Sequence, residues 1–204
     1  MTVTTWNSSD KSANVSLSGG NLVATATTSA AGGVRGTALV NSGKAYFETT
    51  ITYSSITDNF VGVATLAKSL VTTGAGAAWV DVFGGWMYIN SGANSGNIGN
   101  FNSGDVLCTA LDLTNQRIWF RRNNGTWNNS GTADPSSNVG GFDVSALFTG
   151  IAAYPHAMFS ATGMTDTANF GATAFAQTMP SGYSNWNALA VVPTVAVFAI
   201  HAFP

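Results

Sequence analysis

Apolar and polar side chains alternate along this chain in short runs, and clusters of Gly, Asn and Ser separate the runs. Alternation places successive side chains on opposite faces of an extended segment, so each run predicts a half-buried β-strand. Residues 45–53 (AYFETTITY) are the clearest case: Phe47, Thr49, Ile51 and Tyr53 share one face, and Tyr46, Glu48, Thr50 and Thr52 the other. Further strands are predicted at 60–66, 78–83, 86–89, 106–113, 116–121, 150–159 and 165–170. Residues 16–18 and 21–27 read as a hairpin turning at Gly19-Gly20, a second hairpin turns over 112–115, and Gly84-Gly85 joins a third pair. Gly32-Gly33 predicts a turn, as does Asn123-Asn124-Gly125, where the Asn-Gly pair tolerates positive φ. Residues 91–102 lack an apolar pattern and read as a surface loop, 128–141 as a long polar loop, and 142–148 as the one short helix or turn. No stretch longer than about ten residues shows a 3.6-residue period, and the crossover helices of a parallel α/β sheet are lacking. The expected fold is all-β, a two-sheet sandwich.

Composition sharpens this picture. A chain of 204 residues without a compositional break suits a single all-β domain. Only 8% of residues are charged, against about 25% in ordinary soluble domains, so Ser, Thr, Asn and Gly must cover the surface. The net charge of −2 and the absence of any basic cluster beyond Arg121–Arg122 exclude nucleic acid as the expected partner. Such low charge density suits membership of a large assembly. Cys108 is the only cysteine, which rules out an intramolecular disulfide; its apolar neighbours predict a small buried hydrophobe. Residues 1–12 have neither a basic nor an apolar signal-peptide region, so export through a cleaved signal is not expected.

Candidate chemistry is sparse. Glu48 is the only glutamate, and Asp81, Asp105 and Asp112 lie at or beside turns, where Asp commonly serves the backbone. Paired carboxylates facing one cleft are not indicated, so no catalytic residues are assigned and no enzyme is expected. His156 and His201 lack partners at metal-ligand spacing, and His156 reads as a surface or hydrogen-bonded histidine. The Gly-rich stretch 92–99 lacks the Lys-Ser/Thr ending of a phosphate loop, and no cofactor is expected. The aromatic set Trp79, Trp86, Tyr88, Trp119 and Trp127 is more informative, although most tryptophans in a sandwich are core. Trp86, Tyr88 and Trp127 adjoin Gly-rich or Asn-rich turns and are the candidate binding aromatics.

The C-terminal stretch 188–204 is apolar almost throughout and interrupted by Pro193. It is too short and too lightly flanked by charge for a membrane helix, so membrane insertion is not expected. An exposed segment of this kind would aggregate. Its β-branched content predicts an extended strand, either on the chain's own sandwich or added to a neighbouring subunit; docking on a partner is favoured, with Val191, Val192, Val195, Val197, Phe198, Ile200 and Phe203 as the candidate assembly interface.

A family resemblance rests on motifs in order along the chain. Gly43-Lys44-Ala45-Tyr46-Phe47-Glu48 is followed by Val61-Gly62-Val63-Ala64, then by Gly104-Asp105-Val106 with Ala110-Leu111-Asp112. Ile118-Trp119-Phe120, Asn123-Asn124-Gly125-Thr126-Trp127 and Ala168-Asn169-Phe170-Gly171 with Phe175 complete the set. Together they resemble the SPRY domain family, a β-sandwich of the concanavalin-like kind, over roughly residues 5–186. The resemblance implies an antiparallel jelly-roll-type sandwich over residues 1–187, with 188–204 as an apolar extension. It also implies a non-enzymatic protein-recognition module that binds through loops at one end of the sandwich. The Thr4-Thr5-Trp6-Asn7 opening and the Pro180-Ser181-Gly182-Tyr183 close look most like bacterial and bacteriophage variants. The expected role is thus a bacteriophage virion structural or accessory protein, for capsid decoration or in the tail, assembled in the host cytoplasm. Its expected partners are other virion proteins or further copies of itself. The alternative is a module binding carbohydrate, such as a host-surface glycan, or a host receptor.

Overall fold

The computed structural model describes residues 3–54, 58–92 and 95–192. Among the described residues fifteen strands form two sheets. In chain order these are β1 (Trp6–Lys11), β2 (Val15–Ser18), β3 (Val23–Ala26), β4 (Gly32–Gly36), β5 (Lys44–Tyr53), β6 (Asn59–Ala64), β7 (Ala77–Asp81) and β8 (Trp86–Ile89). There follow β9 (Gly96–Asn97), β10 (Val106–Asp112), β11 (Arg117–Arg122), β12 (Phe142–Asp143), β13 (Tyr154–Phe159), β14 (Met164–Asn169) and β15 (Ser184–Asn185). The only α-helical pieces among the described residues are α1 (Ser145–Phe148) and α2 (Trp186–Leu189). One sheet runs β1-β4-β13-β6-β7-β8-β9 and the other β12-β11-β10-β5-β14-β3-β2. The pairings within these two orders are antiparallel. β15 joins β5 in parallel where β14 leaves it.

The inner faces meet in one core. Phe47, Ile51, Leu107, Leu111, Ile118 and Phe120 project from the eight-stranded sheet, and Val34, Val61, Val63, Val80, Met87 and Phe159 from the seven-stranded sheet. Each large side chain buried this way contributes about 1.5–3 kcal/mol relative to exposure. The segment after β15 is tied to the sandwich as well. Trp186 stacks edge-on against Phe47 with ring centroids 5.3 Å apart, and its indole N–H donates to Ala38 O at 3.2 Å. Beyond α2, Val191 exchanges backbone hydrogen bonds of 3.0 and 2.8 Å with Leu39, so residues 188–191 rest on the sandwich itself. The side chains of Val191 and Val192 stay exposed; Val195, Val197, Phe198, Ile200 and Phe203 lie outside the described residues.

Two local expectations are corrected. Gly32-Gly33 is not a turn but lies within β4, because neighbours on both sides approach closely: a Cβ on Gly33 would sit 2.8 Å from Ala157 O and 2.9 Å from Leu70 O. Residues 91–102 are not wholly a surface loop, since β9 extends the sheet and Ile98 and Phe101 are buried in the core.

One polar pair bridges the sheets inside the core. Asp166 on β14 and Asn59 on β6 are fully buried, and Asn59 Nδ2 donates to Asp166 Oδ1 at 2.8 Å. Asp166 Oδ2 and Asn59 Oδ1 have no hydrogen-bond partner, and a proton on the carboxyl removes the charge that burial penalises. Burial pushes the Asp166 carboxyl up to about 7, against the smaller opposing effect of the Asn59 hydrogen bond. In the unfolded chain an aspartate loses its proton near pH 4. Stability from this group is therefore greatest below about pH 4 and declines as pH rises towards 7. Asp166→Asn should flatten that decline by on the order of a few kcal/mol, read as the difference between variant and wild-type denaturant midpoints at pH 4.5 and pH 8. Parallel pH profiles would show that Asp166 holds no proton in the folded state.

Candidate functional site

Strand register builds the outward face of the seven-stranded sheet. One row across the strands reads Gly33, Met158, Phe60, Asp81, Trp86, and the next reads Arg35, His156, Gly62, Trp79, Tyr88. Such a face, rich in aromatic rings, cannot be left to water without cost. Phe60 lies 5.0 Å from Trp79 and 6.3 Å from Tyr88 between ring centroids, and Trp79 lies 5.4 Å from His156. Residues 65–76 cross part of this face as a lid. Arg35 donates to Lys68 O at 2.6 Å while forming a two-pronged pair with Asp10 at 2.7 and 2.9 Å. The Lys68 ammonium sits 4.8 Å above the Trp79 ring and donates to Thr72 O.

His156 lies under this lid, fully buried, and neither ring nitrogen has a partner. It is thus neither a surface histidine nor a hydrogen-bonded one. Burial, then the charges of Arg35 and Lys68, hold its pKa down at about 3, so the imidazole packs as a neutral ring.

Beside the lid the face opens into a cleft of about 420 Å³ lined by Asp58, Phe60, Thr73, Gly74, Trp79, Tyr88, Ser91 and Gly92. Asp81 stands next to it in the sheet; burial first, and the charge of Asp58 in addition, raise its carboxyl to about 6 despite hydrogen bonds from the backbone. Burial and the charges of Asp81 and Asp58 also push the Tyr88 phenol up. Two residues before Tyr88 on β8, Trp86 is 40% exposed; Phe83, Leu66 and Val71 are exposed too.

Trp86 and Tyr88 are thus brought together, as alternate residues of β8 on one face. Trp127 is not with them. It occupies a 3-10 turn on the outside of the other sheet, only 9% exposed, in a second apolar cluster with Tyr46, Cys108, Ala110, Trp119 and Tyr183. The Arg121 guanidinium lies 4.4 Å over its ring, which removes it as a free stacking platform. Phe60, Trp79, Asp58 and the loop positions 73–74 and 91–92 complete the site, although the sequence singled out none of them for binding. The available signal was the hairpin across Gly84-Gly85, whose register sets Trp79 beside Tyr88 and Asp81 beside Trp86.

The remaining titratable groups serve the structure. Glu48 is buried: its carboxylate accepts from Tyr46 Oη at 2.7 Å and from the backbone N–H groups of Ala176 and Gln177 at 2.8 and 2.9 Å. Asp81, Asp105 and Asp112 accept from turn backbone at Phe83, Asn102 and Thr114, as their positions predicted. Cys108 is buried, and desolvation raises its thiol to about 11, leaving it protonated. Among the described residues no three His, Cys, Asp or Glu side chains gather closely enough to hold a metal ion. Glu48→Ala should leave the buried Tyr46 hydroxyl and two backbone N–H groups without their acceptor and lower stability by about 1–3 kcal/mol, measured by denaturant unfolding. An unchanged midpoint would show that the carboxylate does not hold residues 175–183 in place.

A scan of protein-family models and a search of curated protein sequences each return no match. Solved structures do match. The SPRY domain of human HERC1 superposes with a TM-score of 0.66 at 17% identity, covering 83% of this chain and 99% of that one. A second human SPRY domain gives 0.59 at 15% identity, covering 80% and 99%. The TRIM65 PSpry domain gives 0.57 at 14% identity, covering 81% and 91%. With two antiparallel sheets in the arrangement described above, the fold of this chain is that of a SPRY domain.

Proposed function

We propose that this chain is a non-catalytic binding module that acts through protein–protein contacts, as a structural or accessory component of a bacteriophage virion. One observation carries the binding reading: beside the lid, the outer face of the seven-stranded sheet opens into a cleft walled by Phe60, Trp79 and Tyr88, and Trp86, two residues before Tyr88 on the same face of β8, is exposed. Exposed aromatic anchors beside a concave site are the usual makings of an interface hot spot. The SPRY fold supports the same reading, since that family is mostly one of protein-recognition modules. Assignment to a virion, at the capsid or in the tail, rests on the resemblance of the chain's opening and close to bacteriophage variants and on its sparse charge. The exposed valines at 191–192 mark where a further contact through the C-terminal segment would begin.

A second reading has its own observation. Tyr88 and Trp86 lie on one face of one strand and could stack against sugar rings, as a module for a host-surface glycan or receptor would require.

Two variants separate these readings. Removing residues 193–204, which keeps the Val191–Leu39 pairing, should release the protein from particles or dissociate its oligomer. Trp86→Ala should weaken particle binding at least about tenfold, measured by co-sedimentation. Full incorporation of both variants, together with binding on a glycan array that Trp86→Ala abolishes, would replace the virion-assembly reading with the lectin one.

A further inference from the structure

We propose that the cleft on the outer face of the seven-stranded sheet receives a cationic side chain, a lysine or arginine, from the partner polypeptide. The proposal rests on the protein-contact reading above and names what that contact recognises. Its basis is an inventory of charge. The chain has seven Lys and Arg residues, and each is engaged away from Asp58 and Asp81. Arg35 holds Asp10, Lys44 holds Asp112, Arg117 holds Asp143, and Arg122 reaches Asp105 and Asn100 O. Lys11 donates to the carbonyls of Ser12 and Val15, Lys68 to Thr72 O over Trp79, and Arg121 to Thr178 O over Trp127. Asp58 and Asp81 stand close enough for the charge of one to act on the other, and among the described residues no ion pair reaches either. Tyr88 shares the cleft wall with Asp58, and Asp81 stands across from Trp86 on the neighbouring strand.

Two carboxylates without an ion-pair partner beside an aromatic wall suit a cation better than a neutral group. The rings of Phe60 and Tyr88 present negative π-faces, and the carboxylates supply charge-assisted hydrogen-bond acceptors. A neutral sugar would satisfy acceptors but leave the repulsion between the carboxylates in place. The same protein already places cations over rings twice, with Lys68 on Trp79 and Arg121 on Trp127. A cleft of about 420 Å³ holds one long side chain with part of its backbone. The apolar stem would lie along the Phe60–Tyr88 wall, with the charged head towards Asp58 and Asp81.

The test titrates the intact chain with capped pentapeptides that differ only at the central residue: lysine, arginine, norleucine or glutamate. Binding is followed by NMR at the indole N–H signals of the tryptophans and the backbone amides of Tyr88 and Gly92. Lysine and arginine peptides should bind about tenfold more tightly than norleucine, with shifts confined to Trp79, Trp86, Tyr88 and Gly92. The glutamate peptide should not bind. Asp58→Asn, at an exposed position where folding is not at stake, should weaken lysine binding about fivefold, and Asp81→Asn should add to that loss. Equal affinity for lysine and norleucine, or an Asp58→Asn variant that binds as wild type, would overturn the proposal. So would a neutral oligosaccharide that occupies the cleft in an Asp58-independent way while the lysine peptide does not bind. If the peptides fail while Trp86→Ala still weakens particle binding, the protein-contact reading survives and only the cationic ligand is lost.

Discussion

Apolar side chains crowd not only the space between the two sheets but also both of their outward faces. Phe60, Trp79, Met158 and His156 project outward from one sheet; Tyr46, Cys108, Ala110 and Trp119 project outward from the other. At about 25 cal/mol per Å² of apolar surface, leaving both faces wet would cost more than a domain of ordinary marginal stability can bear. The connecting segments must therefore be lids, and the scarce charged residues fasten them. Arg35 and Lys68 secure residues 65–76, Arg121 bonds Thr178 O, and Glu48 grips the N–H groups of Ala176 and Gln177. Trp119 donates to Val139 O at 2.8 Å beneath Gly141, where a Cβ would collide with the indole at 2.4 Å. Low charge density and lidded sheets are thus linked: several of the few charges, Arg35, Lys68, Arg121 and Glu48, anchor the segments that cover the sheets.

The two lids differ in completeness. On the eight-stranded sheet, Trp127, Phe175, Met179 and Tyr183 close over the aromatic floor. On the seven-stranded sheet, residues 65–76 cover Trp79 and His156 but stop short of Tyr88 and Trp86, and the cleft is the space left over. Function in this account follows from where coverage stops. With the seven Lys and Arg residues engaged elsewhere, Asp58, which lines the cleft, and Asp81 beside it have no ion-pair partner among the described residues.

Much of the sandwich was legible from alternation. The hairpins at Gly19-Gly20 and over 112–115, the strand over 45–53, and the opposite faces of Ile118 and Trp119 all stand where the pattern put them. The site was less legible because alternation assumes one wet face. In β6 and β7 every residue is buried, so the period-two signal does not separate core from lidded face. Gly32-Gly33 reads as a turn by residue type, yet it is a strand that a lid carbonyl must approach. Trp127, beside an Asn-rich turn, looks exposed until Arg121 is brought over it by the register of β10 and β11. Which loop covers which face is a long-range fact that no local run of residues encodes.

The central claim is that both outward faces are covered and that coverage ends at β8. The solvent accessibility of the six tryptophan indoles tests it most directly. A soluble paramagnetic agent should broaden the Trp86 indole signal strongly and spare Trp6, Trp79, Trp119, Trp127 and Trp186. Broadening of Trp119 or Trp79 comparable to that of Trp86 would mean that the lids do not lie on the sheets, and would contradict the account at its base.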